Sequence, residues 1–137
     1  MPEPSLALQK ALRARLTASP DLTALVPADN VLDATSRPER FPRVKIGEGQ
    51  TAFAVPYTRY HDKATLDVHI WCEEPGLTDA KEIAGAIAGS IRGHFPDTPD
   101  YRFFSVISTN ARYMRDPSGH HSHAVLTIEA LLQEKAP

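Results

Sequence analysis

The chain has 137 residues, of which 42% are hydrophobic and 23% charged, so we expect one folded domain over residues 1–137 and not a disordered chain. Its formal net charge of −2 excludes a general positive field that would attract nucleic acid, and no apolar run approaches the roughly 20 residues of a membrane span. The lone Cys72 excludes an internal disulfide, and residues 1–4 lack the layout of a signal peptide, so we expect a cytoplasmic protein.

The first third of the chain predicts a helix, a loop and a strand. Leucines and alanines recur at helical spacing over residues 5–18, after a candidate N-cap at Ser5. Residues 27–42 are rich in proline, aspartate and arginine around a short Val31-Leu32 pair, which is typical of a loop, with one edge strand at that pair as the alternative. Residues 41–47 then alternate between apolar and basic side chains, which predicts a half-buried strand that ends at Gly47.

Residues 48–62 mix glycine, threonine and proline with aromatic side chains, and they predict a long loop or arm between two strands. Loops of this length are uncommon in compact domains unless they carry a function, so we predict that this one is a contact arm. The clearest strand follows over residues 63–71, where apolar residues on one face alternate with a second face that ends at Trp71.

The second half of the chain predicts a helix and a hairpin. The helix runs from Thr78 to about residue 94 and contains Gly85 and Gly89. Each interior glycine costs roughly 1 kcal/mol relative to alanine, so we expect the sheet or a neighbouring subunit to pack closely there. Two strands at 102–114 and 123–133 are joined by a turn at 116–119. This order predicts an α+β fold with a mainly antiparallel sheet of about four strands and two helices packed on one face.

Several segments, none distinctive alone, follow one another in a characteristic order over nearly the whole chain: 8–12, 21–26, 41–47, 66–71, 79–83 and 115–121. Together they resemble the tail terminator, or tail completion, proteins of phages and of phage-like gene transfer agents. That family commonly has an aromatic residue at the position of Arg43, so we expect the local packing to differ there.

The resemblance implies a structural protein and not an enzyme, with no catalytic residue, cofactor or metal to carry over. It implies a homo-oligomeric ring, a hexamer, that caps the head-proximal end of the tail tube, stops tube growth and joins the tube to the head. The implied partners are copies of the same chain, the major tail tube protein and a head–tail connector protein, with non-specific passage of DNA through the ring. The implied final location is the head-proximal end of the tail in the virion or virion-like particle.

A ring built head to tail needs two unlike contact surfaces on each subunit. Aromatic and polar residues of the arm, together with the residue at the end of the next strand, are our candidates for the subunit interface: Phe53, Tyr57, Arg59, Tyr60, His61 and Trp71. The alternative is that these aromatics only cover the protein's own sheet edge. Arg37, Arg40 and Arg43 are candidates for contact with the channel or an acidic partner, and the alternative is a solvated loop.

Two other functions compete with assembly. A small nucleic-acid-binding module would stack bases on Phe103, Phe104 and Trp71. A metal-dependent hydrolase would use His121 and His123, which project from one face of a strand, but no third ligand stands at a recognisable spacing. These histidines are more typical of a solvated hairpin flank than of a metal site.

Overall fold

The structure is a computed structural model that describes residues 3–33, 40–55, 61–74 and 76–135. In these ranges the helices are α1 (Pro4–Thr17), α2 (Pro20–Thr23) and α3 (Thr78–Ser90), with a 3₁₀ turn at Ala28–Asn30. The strands are β1 (Val31–Leu32), β2 (Arg43–Ala52), β3 (Asp62–Cys72), β4 (Tyr101–Arg115) and β5 (Ser122–Glu134).

The described strands form one mixed sheet in the order β1-β2-β3-β5-β4. The four long strands are antiparallel to their neighbours, and the short β1 lies parallel to β2 beside Val44 and Lys45. The predicted α+β class is therefore confirmed. The sheet gains its extra strand because Val31 and Leu32, inside the predicted loop, pair with the start of β2.

The core lies between the sheet and the helices. Along β3 every second residue from Asp62 to Cys72 is buried, which is the period that a pleated strand with one covered face requires. Leu12 and Leu16 of α1 and Ile87 of α3 are fully buried in the same cluster as these β3 side chains. We call this side of the sheet the helix face and the opposite side the far face.

β2 is longer than the sequence predicted, because Gly47 does not end it. A bulge between Ile46 and Gly49 shifts the register, and the strand then continues to Ala52. A Cβ at Gly49 would lie 2.8 Å from the carbonyl oxygen of Thr65, so glycine permits the close approach of β3. The first part of the predicted arm is therefore strand.

β4 forms one edge of the sheet and is irregular. Bulges between Phe103 and Ser105 and between Ser108 and Asn110 explain its imperfect alternation. Every residue from 107 to 112 is exposed.

The interior glycines of α3 do not meet the sheet. Among the described residues, nothing lies within 4 Å of a Cβ built at Gly85 or Gly89. The expectation of close packing against the subunit's own sheet is therefore wrong, and a neighbouring subunit remains as the alternative.

Candidate assembly surfaces

The far face carries a stack of rings at one end of the sheet. The strand register places Trp71 of β3 beside His123 of β5, and the two rings stack with centroids 3.8 Å apart and planes within 6°. His123 Nε2 lies 2.9 Å from Nδ1 of His69, two residues before Trp71 on the same face of β3. Nε2 of His69 in turn lies 2.5 Å from Glu48 Oε1. We call these four residues the ring stack.

Arg43 extends the ring stack sideways. Its guanidinium carbon lies 5.8 Å from the Trp71 ring centroid and 5.2 Å from that of Phe41, which are cation–π distances. Phe41 also contacts the ring of His121 at 4.8 Å, and His121 Nδ1 lies 3.6 Å from Asp116 Oδ2. The Arg43 guanidinium thus lies within cation–π distance of two rings, those of Trp71 and Phe41.

Burial, and to a lesser extent the nearby charges of His69 and Arg112, lower the pKa of His123. The hydrogen bond from His69 lowers the pKa of Glu48, whose carboxylate is stabilised in its ionised form. At pH 7 the ring stack therefore favours an uncharged His123 and, on the other side of His69, an ionised Glu48.

The structure separates the two histidines that suggested metal chemistry. His121 pairs with Asp116 and Phe41, whereas His123 pairs with His69 and Trp71. Within the described ranges, no group of three histidine, cysteine, aspartate or glutamate side chains is arranged to hold a metal ion.

Cys72 has the environment of a core residue. It is 2% exposed, and burial raises the pKa of its thiol to about 11, so it stays protonated at neutral pH. None of the helices in the described part of the chain is long and apolar enough to span a membrane.

Exposed apolar side chains collect at the other end of the sheet, where β2 ends and β3 begins. Phe53 is 58% exposed, Val55 46% and Phe104 49%. The ring of His61 meets that of Phe104 edge to face at 4.4 Å. The Ala54 amide donates to the buried carboxylate of Asp62 at 2.7 Å, which ties the segment after β2 to the start of β3. We call these residues the apolar end.

The candidate interface residues do not form one patch. Phe53 and His61 lie at the apolar end, whereas Trp71 lies at the opposite end of β3 in the ring stack. Tyr57, Arg59 and Tyr60 fall outside the described residues.

Of the candidate channel residues, Arg40 is exposed and Arg43 is half-buried against Trp71, and Arg37 lies outside the described residues. Sequence reasoning missed Glu48, His69 and Phe104 as members of these two surfaces. The pairing of β2 with β3, with its bulge between Ile46 and Gly49, brings Glu48 to His69, and the pairing of β3 with β5 brings His69 to His123. A bulge in β4 exposes Phe104, and no local sequence pattern predicts any of these three placements.

Most of the side chains predicted to stack nucleic-acid bases are not accessible for that role in the structure. Phe103 is 2% exposed and packs against Phe95 with ring centroids 5.9 Å apart, so it cannot meet a base. One face of Trp71 is covered by His123. Phe104 alone of the three remains well exposed.

A groove runs along the helix face between α3 and the edge strand β4. One part, of about 360 Å³, is lined by the small residues Ala84, Gly85 and Ala88 of α3 and by Ser108 and Ala111 of β4. A second part, of about 500 Å³, continues between Ile91 of α3's C-cap and the 105–108 stretch of β4. The helix therefore leaves the edge strand uncovered on this side.

Comparison with known proteins decides the family. A family model described as tail completion protein gp17 matches residues 10–133. This chain belongs to that family. The resemblance inferred from the sequence is confirmed, and the protein has a structural role in a phage-type tail.

Two solved structures share the fold of this tail completion protein. One is a chain in the virion of a native gene transfer agent particle, 22% identical, with a TM-score of 0.79 over 93% of this chain and 95% of that one. The other is bacteriophage SPP1 gp17, 19% identical, with a TM-score of 0.62 over 93% of this chain and 89% of that one. No curated protein matches the chain.

Proposed function

We propose that this tail completion protein forms a ring, a hexamer, that caps the head-proximal end of a tail tube, stops tube polymerisation and joins the tube to the head connector. Its partners are copies of itself, the major tail tube protein and a head–tail connector protein. It assembles in the cytoplasm and then becomes part of the virion or virion-like particle, and its role is structural and not enzymatic.

One observation supports the ring most directly: the exposed surfaces of the subunit are unlike and lie apart. The apolar end carries exposed Phe53 and Phe104, whereas the ring stack and Arg43 lie at the other end of the same sheet. A closed ring of identical subunits uses two different patches on each copy, and exposed large apolar residues are typical of such contacts.

Within this proposal the subunit interface includes the six arm and strand residues Phe53, Tyr57, Arg59, Tyr60, His61 and Trp71. Arg37, Arg40 and Arg43 face the channel or an acidic neighbour. Several cations on the wall of a channel would attract the phosphates of DNA that passes through without reading its sequence.

Electron microscopy of purified protein mixed with tubes of the particle's own major tail protein tests the proposal. We expect a ring-shaped cap at one tube end and shorter tubes when the protein is present during polymerisation. Light scattering should show a species of about six subunits released from capped tubes. Uncapped tubes whose lengths do not respond to the protein would overturn the proposal.

A further inference from the structure

The sheet has two edges that lack a complete strand partner among the described residues. On one side, β4 is the terminal strand, and residues 107–112 are all exposed. On the other side, β1 pairs with β2 only at Val44 and Lys45, so the 46–52 part of β2 has no described neighbour on its outer side. Edge strands of this kind present backbone N–H and C=O groups that pair readily with another strand.

The two edges have opposite strand directions. Each step from β2 to β3, from β3 to β5 and from β5 to β4 is antiparallel, so β4 runs opposite to β2. If copies of the subunit repeat around an axis that runs along the strands, β4 of one copy meets β2 of the next in antiparallel orientation. The edges differ in sequence and position, so the contact is head to tail, and it closes into a ring when the rotation between neighbouring copies is a whole fraction of a turn.

The side chains near the two edges are also complementary, because one edge has an exposed phenylalanine and the other a groove. Gly49 and Thr51 of β2 lie opposite the buried Leu66 and Ala64, so both are on the helix face. Phe53 is the next residue in that alternation, one position beyond the end of β2 at Ala52, and the proposed contact requires its side chain to turn to the same face. The groove between α3 and β4 opens on that same face, at the other edge of the sheet. A strand added beside β4 would bring the 58%-exposed Phe53 of the next copy to the mouth of this groove.

We propose that neighbouring subunits join by β-sheet extension: β4 of one copy pairs with the 46–52 edge of β2 of the next, and Phe53 enters the groove beneath β4. This inference rests on the proposed ring and names the contact that builds it. It accounts for Gly85, because a side chain there would project toward a groove that the subunit's own residues leave unfilled.

Such a ring has a defined inside. The helices cover one face of the continuous sheet, and the outer side of a closed ring has a larger circumference than the inner side. The helix layer needs that extra room, so α1 and α3 lie on the outside of the ring. The far face then lines the channel, with Arg43, Lys45 and Arg112 at one end of it. Of the six candidate interface residues, this contact uses Phe53, and it places Trp71, on the far face of the central strand β3, on the channel wall and not between subunits.

Cysteine cross-linking on capped tail tubes tests the contact. Gln50 and Ile107 occupy the same row of the sheet, through Thr65 and Glu129. We would combine Gln50→Cys with a cysteine at each position from 107 to 112 in turn, since the stagger between subunits is set by ring closure. The native Cys72 stays in place because it is buried and its thiol pKa is about 11.

We expect a ladder of cross-linked multimers up to the closed ring at one or two of these positions, and none with Gln50→Cys alone. Asp21→Cys paired with Ile107→Cys is the matched control, because exposed Asp21 lies on α2 away from both edges, and it should give no ladder. Caps that form without a ladder at any position would overturn the inference and leave the proposed function standing. Wild-type protein that forms no caps would overturn both.

A groove-filling variant provides an independent measurement. Gly85→Leu should leave the monomer folded, since nothing in the described chain lies within 4 Å of a Cβ there, but it should abolish capping by occupying the place of Phe53. Glu82→Leu adds the same side chain to α3 outside the groove and should still cap tubes. Equal capping by both variants would contradict the insertion of Phe53.

Discussion

The ring stack shows how single side chains set the electrostatics of the far face. The rings of Trp71 and His123 stack with their centroids 3.8 Å apart. Stacked aromatic pairs stabilise the fold by more than the burial of their area alone. The stacked Trp71 ring shields His123 from water, and His123 Nε2 lies 2.9 Å from His69 Nδ1. The neutral imidazole is therefore favoured in the folded protein, and the sheet becomes sensitive to acid at this point.

The lowered pKa of His123 predicts that the free energy of unfolding falls as pH decreases below the histidine's ordinary value of 6.5. The folded state binds this proton less readily than the unfolded state, so the stability is fully present above pH 6.5 and is lost toward the folded-state pKa. Urea unfolding at pH 7.5 and at pH 5.5 measures the difference.

Replacing His123 by glutamine should flatten this pH dependence. The matched control is His120→Gln, in the exposed turn, which leaves the His69–His123 contact intact and should keep the wild-type dependence. Glu48 contributes at lower pH: its lowered pKa stabilises the folded state above about pH 4.5 and that contribution is lost below it. An unchanged slope in the His123 variant would contradict the assigned cause.

At the scale of elements, glycine has two different consequences in this fold. In β2, Gly49 lets the strand bulge and continue, because β3 lies too close for a side chain. In α3, Gly85 has open space around it among the described residues, so within the subunit itself it contributes only flexibility of the unfolded chain. The first glycine is required by the subunit itself, and the second is not.

The two glycines predict opposite effects of the same substitution. Gly49→Ala should lower the free energy of unfolding by about 1–3 kcal/mol, because its Cβ would lie 2.8 Å from the Thr65 carbonyl oxygen. Gly85→Ala should raise the free energy of unfolding by about 1 kcal/mol, since alanine is the better helix former and meets no obstacle. Thermal and urea unfolding measure both, and a loss of stability in Gly85→Ala would show that its surroundings are already filled.

Elements also differ in how well local pattern predicts them. The predicted helix at 5–18 is α1 at Pro4–Thr17, and the strand at 63–71 is β3 at Asp62–Cys72, because each has one continuous buried face. The turn at 116–119 forms with a positive φ of 77° at Gly119, as its residues require. The sequence predicts that β2 ends at Gly47, because the bulge after Ile46 interrupts the alternation that identifies a strand. Two bulges interrupt the alternation of β4 in the same way.

At the scale of the whole molecule, a substitution on the surface should be able to remove tube capping without changing the stability of the subunit. Phe53 is 58% exposed and Leu25 38% exposed, so neither is a core residue, and they lie at opposite ends of the sheet. Phe53→Ser should abolish tube capping while changing the free energy of unfolding by less than about 0.5 kcal/mol. Capping is scored by electron microscopy and stability by urea unfolding of the free protein.

Leu25→Ser is the matched control for Phe53→Ser. It removes a comparable exposed apolar side chain at the opposite end of the sheet, beside Phe41 and Cys72 and away from the 46–52 edge of β2, and should leave capping intact. If both variants cap tubes normally, Phe53 is not part of the subunit contact. If Phe53→Ser unfolds the protein, its side chain stabilises the subunit itself.

The amino-acid sequence alone determined the α+β class, the position of the main helices and the long strand β3, and the membership of a tail completion family. The fold class and these elements depend on periodicity and turn residues, which act over a few neighbouring positions, whereas the family was inferred from a resemblance in the order of six short segments and is shown by the family model. The tertiary structure decided which surfaces form. The ring stack joins residues 54 positions apart, and the edges of β2 and β4 that lack a partner among the described residues exist only once the strand order is set. Cross-strand register is a property of the whole sheet, because each strand is positioned by the core it covers, and no local pattern records it.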